Sequence, residues 1–189
     1  YMTTSLADHG SDYSLESAIC KVFASESVWR IVNEAVQIAG GAAYMRDYPY
    51  EQFLRDARIH SIFEGTNEIL RCFIALGGFQ GPGLYLKEIG QALRYPIKGI
   101  GLLSEAAFSR IKRDIVGLGD KITRADPRFK TEIALIEDNV KALARAIEKF
   151  LIKYKNKIWE MGFVQRRIAN IVIDLYAMIC AISRTTSMM

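Results

Sequence analysis

Cysteine and histidine are scarce in this 189-residue chain. The three cysteines, Cys20, Cys72 and Cys180, contain no CxxC pair and are odd in number. That excludes a disulfide framework and leaves buried thiols in a reducing compartment as the expectation. His9 and His60 are the only histidines, so no clustered Cys/His set exists and no metal site is expected. No segment alternates convincingly between apolar and polar residues, so no strand is expected. The longest apolar run, Ile171 to Ile182, reads as too short, and too interrupted by Asp174, to span a bilayer. No basic-then-apolar leader opens the chain at Tyr1, as expected of a processed chain or a fragment. Met2 to Gly10 reads as the tail of a longer helix.

What the chain does hold is apolar residues at half of its positions and charge at about a quarter, the balance of a globular protein. The charge is uneven. Residues 1–79 hold 6 Lys/Arg against 10 Asp/Glu, a net −4, and residues 80–189 hold 19 against 11, a net +8. An acidic part followed by a basic part suggests two roles in one chain. A basic surface suits an anionic membrane or partner. Its basic residues are not interleaved with aromatics, so no nucleic-acid role is expected.

Helical spacing dominates. Ala18, Val22, Ala24, Val28, Ile31, Val32, Ala35, Val36 and Ile38 predict a long helix over Ser14–Ala39, capped by Ser14 and closed by a left-handed glycine at Gly40-Gly41. A loop is expected over Gly40–Pro49, a short helix over Glu51–Ala57, then a tight loop at Phe63–Asn67. Thr66 or Asn67 caps a helix over Glu68–Leu76, which Gly77-Gly78 ends. Gly81-Pro82-Gly83 is the clearest boundary. Beyond it a short helix is expected over Leu84–Leu93, and an amphipathic segment over Ile97–Leu118. Long helices follow over Phe129–Trp159 and Phe163–Ser183. The expected class is all-α: an antiparallel helical bundle over residues 1–79 with a second helical extension over 80–189.

Glu64 stands out chemically. It lies in a loop between helices, behind Ile62 and Phe63. Apolar neighbours that strip water from a carboxylate raise its pKa, which suits a general base near neutral pH. Gly65 permits a sharp bend and close ligand approach. Thr66 and Asn67 open a helix whose free N–H groups favour an anionic or acceptor group. Arg55, Asp56, Arg58 and Arg71 read as structural charges.

The run QIAGG (Gln37–Gly41), then Tyr48-Pro49, FLRDARI (Phe53–Ile59) and IFEGTNEILR (Ile62–Arg71) resembles the C-terminal helical domain of the acyl-CoA dehydrogenases in order and spacing. The resemblance implies roles. Glu64 would take the α-proton of a fatty acyl-CoA as the β-hydride leaves for FAD. The Glu64 N–H and a flavin ribityl hydroxyl would bond the thioester carbonyl. Gly65 would line the substrate. Thr66, Asn67 and Glu68 would contact FAD of the same subunit. Gln37, Ile38, Ala39, Gly40 and Gly41 would contact FAD of a neighbour, which implies a homodimer at least. Electrons would pass to electron-transfer flavoprotein, and the setting would be mitochondrial β-oxidation.

Residues 80–189 resemble the helical extension of the family's very-long-chain type and of a paralogue that assembles respiratory complex I. An acidic Glu68, where the medium-chain enzymes carry Gln, fits the same type. The resemblance also implies contact with the inner mitochondrial membrane, for which Ile97–Leu118 with Arg110, Lys112 and Arg113 is the candidate. Each well-placed basic residue would add about 1 kcal/mol on anionic lipid. The other readings are a partner-binding module of the assembly-paralogue kind and an acyl-CoA oxidase. The chain alone is expected to be inactive.

Overall fold

The computed structural model describes residues 1–79 and 121–189. Among them there are only helices, turns and loops, so the all-α class holds. The expected boundary at Gly81–Gly83, the expected helices over Leu84–Leu93 and Ile97–Leu118, and the basic trio Arg110, Lys112 and Arg113 lie outside the described residues.

Helix α1 covers Met2–Asp8 and α2 covers Ser14–Ala39, the span that the apolar spacing predicts. The start of α2 differs from expectation. Ser14 is its first residue, and the Asp12 carboxylate accepts from the Ser14 N–H at 3.0 Å and from its hydroxyl at 2.5 Å. A charged acceptor serves a helix start better than a neutral hydroxyl. Gly40 closes α2 with φ 61° and ψ −143°. The positive φ requires glycine, but this ψ is not that of a left-handed helical cap.

The expected loop after Gly40 contains a short helix, α3, over Gly41–Tyr44, with Ala43 buried. Helix α4 spans Tyr50–Ile59 and packs along α2. Helix α5 covers residues 67–79, as far as the described residues extend. It passes through Gly77-Gly78, correcting the expected stop. Glycine within a helix costs roughly 0.5–1 kcal/mol. Burying Phe79, which is 1% exposed, offsets that by about 1.5–3 kcal/mol.

After a 3₁₀ turn at Pro127–Phe129, α6 runs over Lys130–Tyr154. The predicted face is largely the one turned inward: Ile136, Ile147 and Ile158 are buried, and Ile133, Leu143 and Leu151 are partly covered. The expected single helix to Trp159 breaks at Lys155, where φ is 47° and a 3₁₀ segment, Lys155–Glu160, takes over. Helix α7 then covers Gly162–Met188. Its 27 residues, with a mean hydropathy of 1.4 in the most apolar window, are long and apolar enough to cross a membrane. The run Ile171 to Ile182 understated this, because the helix continues at both ends.

The chain divides into two compact units, neither continuous in sequence. The first comprises Tyr1–Ala75 and Gly162–Ile173, and the second Leu76–Met161 and Asp174–Met189. In the first unit the core includes Ala18, Ile19, Val22, Ile74, Ile168 and Ala169. In the C-terminal half of α2, Ile31 is 66% and Ile38 86% exposed, while Val32, Ala35 and Val36 are half-buried. In the second, the Asp126 N–H donates to the Thr186 hydroxyl and the Ile122 N–H to Glu137.

Candidate functional site

The loop between α4 and α5 is built by two consecutive positive-φ residues, Glu64 at 54° and Gly65 at 89°. Glutamate in this region carries a cost of roughly 1–3 kcal/mol, so the surroundings must hold it there. The backbone angle favours glycine at position 65, and a Cβ there would lie a tight 3.3 Å from Leu70 Cδ2.

Several bonds hold the turn. The Asn67 N–H donates to the Ser61 carbonyl at 3.1 Å, closing the loop at its base. Thr66 caps α5: its hydroxyl accepts from the Ile69 N–H at 3.3 Å. From α2, the Lys21 ammonium donates to the Gly65 carbonyl at 2.8 Å and to Asn67 Oδ1 at 2.9 Å. Asn67 Nδ2 meets the Ser25 hydroxyl at 2.9 Å. Asn67 and Ser25 are 2% and 5% exposed. Burial pushes the Lys21 ammonium below the usual lysine range, while the charges of Glu68 and Glu64 oppose that shift.

The Asn67 amide is turned inward and shared between Ser25 and Lys21, so its side chain holds the loop. Thr66 and Glu68 remain accessible. The Glu68 carboxyl lies below its ordinary range, first because its own backbone N–H donates to it, then through the Thr66 hydroxyl, Arg71 and Arg166.

Glu64 is exposed, and Ile62 and Phe63 are 47% and 45% exposed. Among the described residues, these neighbours do not strip water from the Glu64 carboxylate as expected. Among the described residues no acceptor takes the Glu64 N–H.

Thr66, Asn67 and Glu68 also border an open cleft of about 490 Å³, with Glu26, Trp29, Arg30 and Arg58 on its other walls. Glu64 is not among its walls. Arg58 lies 5.7 Å from the centre of the Trp29 ring and donates to the Ser61 hydroxyl. Sequence reading placed Arg58 among structural charges and passed over Trp29 and Arg30. Their 28–29 residue separation from Arg58 leaves no local pattern to read. Gln37 to Gly41 sit exposed or half-exposed where α2 meets α3. They follow closely on Glu34, which with Asn33 lines the far end of the same cleft, but are not themselves among its walls.

Arg71 is 8% exposed. Its Nη2 lies 2.6 and 2.7 Å from the two Glu26 carboxylate oxygens, and its Nε donates to Asn170 Oδ1 at 2.7 Å. Arg55 pairs with Glu51 one turn away on α4. No group of three or more His, Cys, Asp or Glu suited to a metal occurs among the described residues.

Residues 1–78 match the family model described as "Acyl-CoA dehydrogenase, C-terminal domain". Residues 127–189 match "ACAD9/ACADV, C-terminal domain". The very long-chain specific acyl-CoA dehydrogenase, mitochondrial, of Bos taurus is 40% identical over 190 residues, covering 98% of this chain and 29% of its own length. The Homo sapiens protein of the same name is 38% identical with the same coverage. The chain thus spans under a third of these relatives. A crystal structure of an acyl-CoA dehydrogenase complexed with FAD, from Bacillus anthracis, aligns with a TM-score of 0.66 at 31% identity, over 92% of this chain and 27% of that one. The chain belongs to the acyl-CoA dehydrogenase family, with that family's C-terminal domain in its first part and the ACAD9/ACADV C-terminal domain in its last.

Proposed function

We propose that this chain is the base-bearing segment of an FAD-dependent dehydrogenase of long-chain or very-long-chain acyl-CoA thioesters. The observation that carries the reading is the Glu64–Gly65 turn: a carboxylate held out on a strained backbone, with its N–H uncommitted among the described residues.

Glu64 takes the α-proton, and its N–H donates to the thioester carbonyl, where negative charge develops. Gly65 lines the substrate, and its positive φ favours the glycine found there. A flavin, when bound, supplies the acceptor for the β-hydride. The donor set fits such a group: Arg30 and Arg58 suit phosphates, and Thr66 and Glu68 suit hydroxyls. The exposed Gln37–Gly41 turn serves the flavin of a second subunit, which makes the working unit a homodimer. The exposed Ile31 and Ile38 are consistent with such a partner. The dry walls that Glu64 lacks here come from the remainder of the full-length protein, so the isolated chain is inactive. Electron-transfer flavoprotein as acceptor, mitochondrial β-oxidation as setting, and inner-membrane contact through Arg110, Lys112 and Arg113 complete the reading.

The test uses the full-length protein, loaded with FAD under anaerobic conditions. Palmitoyl-CoA should bleach the flavin rapidly, and Glu64→Gln should slow bleaching by about 100-fold or more, the scale of a lost general base. Equal bleaching in both would remove Glu64 from the role. No bleaching despite bound flavin would favour the partner-binding reading, which the match of residues 127–189 to a model named for two proteins keeps open.

A further inference from the structure

The strain at Glu64 and Gly65 poses a question: what keeps two successive residues at positive φ? The loop's backbone bonds tie Ile62 and Phe63 back to the Ile59 carbonyl, close the base from Asn67 to Ser61, and begin α5 from Leu70 to Thr66. None of them grips Glu64 or Gly65 at the apex. The contact that does so comes from α2, 44 residues away in sequence. The Lys21 ammonium donates to the Gly65 carbonyl at 2.8 Å and to Asn67 Oδ1 at 2.9 Å. Asn67 is in turn fixed by Ser25, one turn further along the same helix. Lys21 therefore spans the turn from the Gly65 carbonyl to Asn67, the first residue of α5, and does so from a rigid element.

We propose that Lys21 is the positioning residue for Glu64: by holding the Gly65 carbonyl and the Asn67 side chain against α2, it fixes the backbone that aims the Glu64 carboxylate and N–H. This rests on the reading of Glu64 as the base. The charge of the ammonium matters as well as its reach. A charged donor bonds a carbonyl more strongly than a neutral one, and the partly buried setting strengthens the bond further. The Gly65 peptide is polarised by this bond on its carbonyl side. The residue whose aim it sets lies immediately before it.

Two readouts on the full-length holoenzyme test this for Lys21→Met, which keeps length and removes the donor, and Lys21→Arg, which keeps charge but cannot place one nitrogen in the same position. The first is amide hydrogen exchange over residues 61–70. The second is the limiting rate of anaerobic flavin bleaching by palmitoyl-CoA, with its half-saturating concentration and the flavin content of each variant. Expected for Lys21→Met is exchange at 65–67 faster by about 10-fold, as local opening becomes easier. The limiting rate should fall by about 100-fold, the scale of a misplaced reacting group. Half-saturation and flavin content should stay within twofold. A merely structural lysine would move flavin content and half-saturation along with the rate.

Should Lys21→Met fail to accumulate as holoenzyme, Lys21→Arg decides: a lowered rate at unchanged half-saturation supports the proposal. Exchange at the wild-type rate in the variants overturns it. Faster exchange with a wild-type bleaching rate overturns it too, because the order of the loop would then not matter to the base. If Glu64→Gln bleaches as fast as wild type, the base assignment has failed, and exchange alone decides whether Lys21 holds the turn.

Discussion

Glu68 shows how much one side chain's environment depends on residues far from it in sequence. Its carboxyl is pulled below the ordinary 4.5, first by its own N–H and then by Thr66, Arg71 and Arg166. Three of these are within three residues, but Arg166 comes from the far end of the chain. A carboxyl lowered in the folded state stabilises the fold when ionised. That contribution is fully present above pH 4.5 and is lost as pH falls through the lowered folded value. Glu68→Gln should therefore flatten the pH dependence of urea stability below pH 4.5 and lower stability slightly at pH 7. An unchanged slope between pH 3 and 4.5 would mean that the Thr66 and backbone contacts do not persist in solution. Asn67 depends on distant residues in the same way: its side chain is held by Ser25 and Lys21 of α2.

At the level of single elements, the sharpest feature is the break between α6 and the 3₁₀ segment. Lys155 sits at φ 47° and ψ −129°, a region that L residues avoid. Relieving that cost by Lys155→Gly should stabilise the chain by about 1 kcal/mol. The flexibility that glycine adds to the unfolded chain works against this. Denaturant unfolding checks the sign: a loss of stability would mean that the Lys155 side chain contributes more than its backbone costs. Helix α2 shows the reverse situation, an element whose bounds follow its own spacing but whose C-terminal half leaves Ile31 and Ile38 exposed.

Across the molecule, Arg71 is the clearest long-range tie. It joins α5 to Glu26 on α2 and to Asn170 on α7, 99 residues away. In doing so it links the segment matched by the acyl-CoA dehydrogenase model to the segment matched by the ACAD9/ACADV model, within one compact unit. Arg71→Met removes a nearly buried charge and strands Glu26 and Asn170. Glu26 is 42% exposed at its side chain, so water recovers part of the loss. The expected cost is about 1–3 kcal/mol in urea unfolding. A cost below about 0.5 kcal/mol, the size of an exposed pair, would show that the link is not structural.

The sequence by itself determined the helical class, the span of α2 though not the way its ends are capped, much of the inward face of α6, and the place of the Glu64 turn. All of these follow from local rules: apolar spacing, glycine where φ is positive, and a hydroxyl before a helix. The family resemblance came from the same contiguous stretch, Gln37 to Arg71. Only the tertiary structure decided the rest. Helix α5 continues through Gly77-Gly78 because Phe79 is buried, and Asn67 turns inward because Lys21 and Ser25 meet it. Residues 162–173 belong with the first 75 because Ile168 and Ala169 are buried there and Asn170 completes Arg71. Burial and pairing between residues 40 to 100 positions apart are set by how helices pack, and no local pattern in a single sequence records that packing.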